Sequence, residues 1–233
     1  MFCHSCGNQV PNDLQFCPNC GAALATPPGP FGTPTPVAWT PPTGIKAAPG
    51  RWIREGWELV KVDIGTYLLL ALVLSILSSM VPLIIQGPLV AGFHIFCMKR
   101  IMGRPAEFAD LFKGFNFFVP TLVASLVIAL FVSVGTLFCI IPGIVVAAMY
   151  KFTYLFIVDK RMDFWPAMQA SHAVVKNDYF GFTMFVVLMF LCGLLGVLCC
   201  IVGVFIAIPV SLAAITVAYK QLVGFDQRTV DAL

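Results

Sequence analysis

Charge is what this 233-residue sequence has least of. Asp, Glu, Lys and Arg make up 11% of it, against 59% hydrophobic residues and a mean hydropathy of +0.92. Soluble domains carry about a quarter charged residues, and a water-soluble fold could not cover its surface with so few. The scarcity is also local. No Asp, Glu, Lys or Arg lies between Asp63 and Lys99 (35 residues), between Lys113 and Lys151 (37) or between Asp178 and Lys220 (41). Spans without a carboxylate argue against proton- or sodium-coupled transport. A Ser/His/Asp set, a His-x-x-x-His helix, a phosphate loop and paired pocket carboxylates are all missing, so no enzyme is expected. The net charge of +3 is too small to imply a nucleic-acid partner. The first 24 residues hold no Lys or Arg and no apolar h-region, so the N-terminus is expected to stay in the cytosol.

What is present falls into three zones. Residues 1–24 are a Cys-rich head, residues 25–50 a flexible linker, and residues 51–233 an integral membrane helical domain. The linker holds eight prolines and one charge, Lys46. It has too few apolar anchors to pack a core and reads as extended and polyproline-like.

The head reads Cys3-His-Ser-Cys6-Gly7, then Cys17-Pro-Asn-Cys20-Gly21. Each Cys-x-x-Cys turn puts two thiolates on one side of a tight knuckle, and the following Gly tolerates positive φ. Cys3, Cys6, Cys17 and Cys20 thus supply the four soft ligands of a structural zinc site, with no open position for catalysis. A segment this short has almost no core, so the metal would supply its folding free energy. The competing reading is a redox or disulfide pair set. His4 reads as exposed rather than ligating. The head resembles the short zinc-ribbon modules found at the N-termini of many bacterial membrane proteins.

The uncharged spans are too long for single crossings. At 1.5 Å per residue the shortest would make a helix of roughly 52 Å, against a hydrocarbon core of about 30 Å. Each reads as a helical hairpin, giving a membrane all-α fold of about six transmembrane helices. Outer bends are expected at Pro82–Pro88, Pro142-Gly143 and Gly203–Pro209, with the second helices starting at Pro88, Pro142 and Pro209. Basic residues cluster at the hairpin feet: Arg51, Arg54 and Lys61; Lys99, Arg100, Arg104 and Lys113; Lys160, Arg161 and Lys176; Lys220 and Arg228. Three hairpins put all four clusters on one face, and the positive-inside rule makes both termini cytosolic. A five-helix arrangement would push one cluster outside.

Three amphipathic stretches precede the hairpins. Phe108, Leu111, Phe112 and Phe115 share one helical face, with Glu107, Asp110 and Lys113 opposite. Phe164, Trp165, Met168, Val175 and Tyr179 form a second, with Asp163 as a cap and Pro166 in the first turn. Trp52, Trp57 and Val60 form a third. All three read as interfacial helices with Trp at headgroup depth. The three hairpin units look alike in punctuation, which a true repeat or membrane physics alone would produce.

Few polar residues fall inside the spans. Lys151 is the one charge in an apolar run: either a buried functional cation or a side chain snorkelling to the inner interface beside Tyr150 and Tyr154. His94, near Lys99, is expected to be interfacial. Gly193, Gly196 and Gly203 read as close-packing positions, and Cys97, Cys139, Cys192, Cys199 and Cys200 as small apolar residues.

The stretch from Gly135 to Tyr219 is similar to an uncharacterised bacterial integral membrane domain. The residues carrying the likeness are Ile141-Pro142-Gly143-Ile144, Ala147, Tyr150, Asp159-Lys160, Ala167, Ser171, Lys176 and Ala218-Tyr219, with Asp110-Leu-Phe-Lys-Gly-Phe115 in the same pattern. A related domain resembles the membrane portion preceding some membrane-bound glycerophosphodiester phosphodiesterases. The resemblance implies a multi-helix fold in a prokaryotic inner membrane and no phosphodiesterase activity. Two functions stay open. One is a scaffold, assembly or regulatory factor that docks a cytosolic or membrane protein through its ribbon. The other is a channel or permeator for a small solute or lipid, compatible with a homo-oligomer.

Overall fold

The computed structural model describes residue 44 and residues 46–80, 84–198 and 202–226. Those residues are helical and irregular, without a strand among them. Helix α1 spans Pro49–Lys61, α2 Ile64–Met80 and α3 Gln86–Ile101. Helix α4, Asp110–Lys113, runs through a short 3₁₀ turn (Gly114–Phe117) into α5, Phe118–Phe138. Then follow α6 (Ile140–Met149), α7 (Thr153–Asp159), α8 (Phe164–Val175), α9 (Tyr179–Leu198) and α10 (Val202–Leu222). Four segments are long and apolar enough to cross a membrane: Asp110–Phe138, Ile140–Asp159, Tyr179–Leu198 and Gly203–Leu222. The α1–α2 pair, bent by 103°, makes a fifth if counted as one span.

The described helices form three units of one short and two long helices: α1–α2–α3, α4–α5–α6/α7 and α8–α9–α10. Carboxylates start two of the outer helices. Asp63 accepts hydrogen bonds from the Thr66 hydroxyl (2.9 Å) and amide (3.4 Å), and Asp178 from the Gly181 amide (2.9 Å). Such oxygens satisfy amides that the first helical turn leaves without partners. The inner helices α3, α7 and α10 are each followed by a residue with positive φ: Gly103 (70°), Arg161 (50°) and Gly224 (78°). The Gly103 and Gly224 amides turn back to carbonyls of the last helical turn, as in a left-handed C-terminal cap.

The units interlock cyclically. Outer helices α2, α5 and α9 pack on the second helix of the preceding unit, respectively α10, α3 and α6. The short helices follow the same rule: α1 lies on α10, α4 on α3 and α8 on α7. Each uses small residues to come close. A Cβ on Gly56 of α1 would lie 2.7 Å from the Ala214 nitrogen of α10, and one on Gly114 would lie 2.9 Å from Gly92 Cα of α3. Ser171 of α8 plays the same part beside α7.

Several sequence expectations need correction. Helix α10 starts before Pro209, which sits inside it; the Gly203–Pro209 stretch is helix, not bend. A proline removes one backbone donor, and packed neighbours make that tolerable in a membrane helix. Trp52 does not face outward. It is 1% exposed, packed on Phe182 and Phe185, and its indole N–H donates to Gln221. Trp57 and Trp165 do face outward. Gly196 and Gly203 meet closely, whereas Gly193 faces open space.

Candidate functional site

The inner helices surround a cavity of about 160 Å³ lined by His94, Lys151, Tyr150 and Tyr154 among apolar side chains. The chain reaches Lys151 through a break between α6 and α7. Such a break frees backbone groups that hydrocarbon cannot satisfy. Ser171 satisfies them: its hydroxyl donates to the Met149 carbonyl (2.7 Å) and accepts from the Phe152 amide (3.2 Å). The Lys151 amide bonds Ala148 O at 3.3 Å. Within the span Ile140–Asp159, Lys151 lies roughly 16 Å from one end and 12 Å from the other at 1.5 Å per residue. Of the two readings of Lys151, this placement favours the interior one.

His94 is not interfacial. It is 1% exposed, and its Nδ1 lies 2.8 Å from Thr216 Oγ1 of α10. The Thr216 hydroxyl already donates to Leu212 O at 2.9 Å. His94 Nδ1–H is therefore the donor and Nε2 is left as an acceptor. Among the described residues no carboxylate pairs with Lys151, whereas its charge is close enough to act on His94. The result is one cation in an apolar sleeve, at the junction of all three units.

Two carboxylates away from this cavity are buried. Asp110, on the polar face of the interfacial stretch, is 2% exposed, bonded to Lys99 (2.7 Å), Lys113 (2.8 Å) and the Glu107 amide (2.9 Å). Phe108 and Phe112 of the same stretch are exposed and meet edge-on, and Phe112, Phe115 and Phe118 stack in turn toward the half-buried start of α5. Asp159 is fully buried and accepts from the Tyr219 hydroxyl (2.9 Å) and the Asp226 amide (2.8 Å), with Lys160 at 3.1 Å. Both are satisfied ion clusters that tie α3 to α4 and α7 to α10.

Among the described residues no group of three or more His, Cys, Asp or Glu could hold a metal ion. The expected zinc ligands Cys3, Cys6, Cys17 and Cys20, and most of the 25–50 linker, lie outside the described residues. The end of that linker is described: the Ala47 amide donates to Asp178 (3.1 Å) just before α1 begins.

Comparison with known proteins bears on both parts. Residues 2–24 match the zinc-ribbon domain, which suggests zinc binding. Uncharacterized proteins of Mycobacterium bovis and Mycobacterium tuberculosis are 29% identical over 134 residues, covering 58% of this chain and 41% of theirs. The chain thus spans well under half the length of those relatives. No solved structure matches. The chain carries an N-terminal zinc-ribbon domain and, among the described residues, an all-helical part with four to five candidate spans.

Proposed function

We propose that the chain is a non-enzymatic, multi-pass scaffold, assembly or regulatory factor of a prokaryotic inner membrane, whose cytosolic zinc ribbon docks a protein partner. The observation that carries this reading is the division into two compact units, 1–37 and 38–233, the first holding the zinc-ribbon match. Cys3, Cys6, Cys17 and Cys20 hold a structural zinc, since four thiolates complete a tetrahedron. About 25 linker residues in a polyproline-like state reach up to roughly 78 Å, enough for a docking module to sample partners away from the bilayer. The membrane part crosses about six times, as three hairpins with both termini cytosolic. In this topology α2 and α3, with 17 and 16 residues, are short crossings. Lys99, Lys160 and Lys220 close the inner helices on the cytosolic side.

The test is in-cell crosslinking of the full chain against Cys6→Ser and Cys17→Ser variants, with metal analysis of each. About one zinc per chain and loss of the crosslinked partner in both variants is the expected result. An unchanged partner set, or no zinc in the wild type, overturns it. Reporter fusions at Lys61, Lys113, Lys176 and Lys220 are expected to read cytosol, and at Gln86 and Cys200 the outside. A permeator of a small solute or lipid is the second reading, favoured by the cavity at Lys151.

A further inference from the structure

Among the described residues inside the candidate spans, Lys151 is a cation without a carboxylate partner. The cations closing the three inner helices sit at their cytosolic feet in the proposed topology, and the buried carboxylates Asp110 and Asp159 are each held by ammonium, hydroxyl or amide donors. Lys151 instead lines a mid-span cavity with no carboxylate partner among the described residues. A cation at such depth is costly and by default marks a site. Its backbone setting is also built: Ser171 holds the α6–α7 break open at this point. His94 Nε2, fixed as an acceptor, suits an ammonium N–H and not an anion, so an anion would be received by the ammonium itself.

Depth selects the kind of anion. A site in the middle of a span is reached through hydrocarbon, which small hydrated ions do not cross. The walls point the same way. A second, apolar groove of about 340 Å³ runs between α5, α6 and α9, lined by residues including Thr136, Gly143, Val187 and Phe190. Val132 and Ala147 line both spaces. Along α5 and α6 the two follow each other in successive turns, from Ile128 and Lys151 to Thr136 and Ile140.

We propose that these spaces form one binding site for an amphiphilic carboxylate, a long-chain fatty-acid anion, with its head on the Lys151 ammonium and its chain in the groove between α5, α6 and α9. The site does not depend on the docking role of the ribbon.

The test is equilibrium binding to the purified full chain in a mild detergent, using oleate, oleyl alcohol and acetate as probes. Saturable binding of oleate is expected, with oleyl alcohol and acetate each at least tenfold weaker. Lys151→Met is expected to lose oleate binding by the same factor, and Lys151→Arg to keep it. Met is apolar and of similar length, so the variant should fold; an unliganded melting temperature at or above wild type checks this. Phe190→Trp, at the groove, should weaken oleate without restoring acetate. Oleyl alcohol binding as tightly as oleate, acetate competing equally, or a folded Lys151→Met that still binds oleate would each overturn the proposal.

Discussion

The hairpin α2–α3 and the hairpin α9–α10 carry the same punctuation in sequence and are held by different means. Near the bend of α9–α10 two glycines face each other. A Cβ on Gly203 would lie 2.8 Å from Gly196 Cα, and one on Gly196 would lie 2.8 Å from Gly203 C. Hairpin α5–α6 repeats this with Gly135, where a Cβ would lie 3.1 Å from Gly143 Cα. In α2–α3 no such pair exists among the described residues. Gly87 turns to Thr121 of α5, and α2 leans on α10 more than on α3. What joins α2 to α3 is aromatic: the Tyr67 ring contacts Phe93 (6.1 Å) and Phe96 (5.2 Å). Backbone approach needs small residues, because lipid offers no hydrophobic gain for bringing helices together. A hairpin without them must be filled by large rings and anchored by its neighbours.

The sharpest way to break that contrast is to empty the aromatic joint. Tyr67→Ala should destabilise the protein by about 3 kcal/mol or more, since a fully buried ring leaves a cavity; denaturant titration in detergent measures it. Among the described residues its hydroxyl has only the Cys97 thiol beside it, a weak partner, so Tyr67→Phe should be close to neutral in the same assay. A large loss in the Phe variant would mean that the hydroxyl, not the ring, holds the joint.

Crowding the glycine joint should cost less but still clearly. Gly203→Ala is expected to lose about 1–3 kcal/mol through overpacking. Gly193→Ala, one turn from Gly196 on α9 and in open space, should stay within about 0.5 kcal/mol. Equal effects at the two glycines would remove the distinction between the hairpins. The smallest effect tests the likeness of the units. Arg161 is the non-glycine member of the left-handed set Gly103, Arg161 and Gly224. Arg161→Gly should therefore stabilise by about 1 kcal/mol, while Gly103→Ala should destabilise; thermal melts read both.

Local pattern carried the helical architecture and its short amphipathic helices, because periodicity and punctuation are properties of neighbouring residues. Partners distant in sequence did not show. His94 reads as interfacial from its closeness to Lys99, but its setting is made by Thr216, 122 residues away. Periodicity puts Asp110 on the polar face of an interfacial helix but does not show what that face meets. It meets Lys99 of α3, while Phe108 and Phe112 are exposed. Pro209 reads as a helix start because helices favour proline in their first turn. Lys151 is legible as an anomaly, yet the cavity that gives it meaning is assembled from five helices, α3, α5, α6, α7 and α10.

The cyclic interlock has a consequence in time. Helix α1 leaves the ribosome before the other described helices, but its seat is on α10, the last of them. Gln221 is the clasp: its side-chain oxygen accepts from Arg51 (2.6 Å) and Trp52 (2.9 Å), and its amide donates to Glu55 (2.6 Å). Until that residue arrives, the first unit must wait in the bilayer with its buried faces uncovered. The ring can close only once α10 has been made, so a chain stopped short of α10 would leave a recognisably unfinished object, with α1 exposed as its mark.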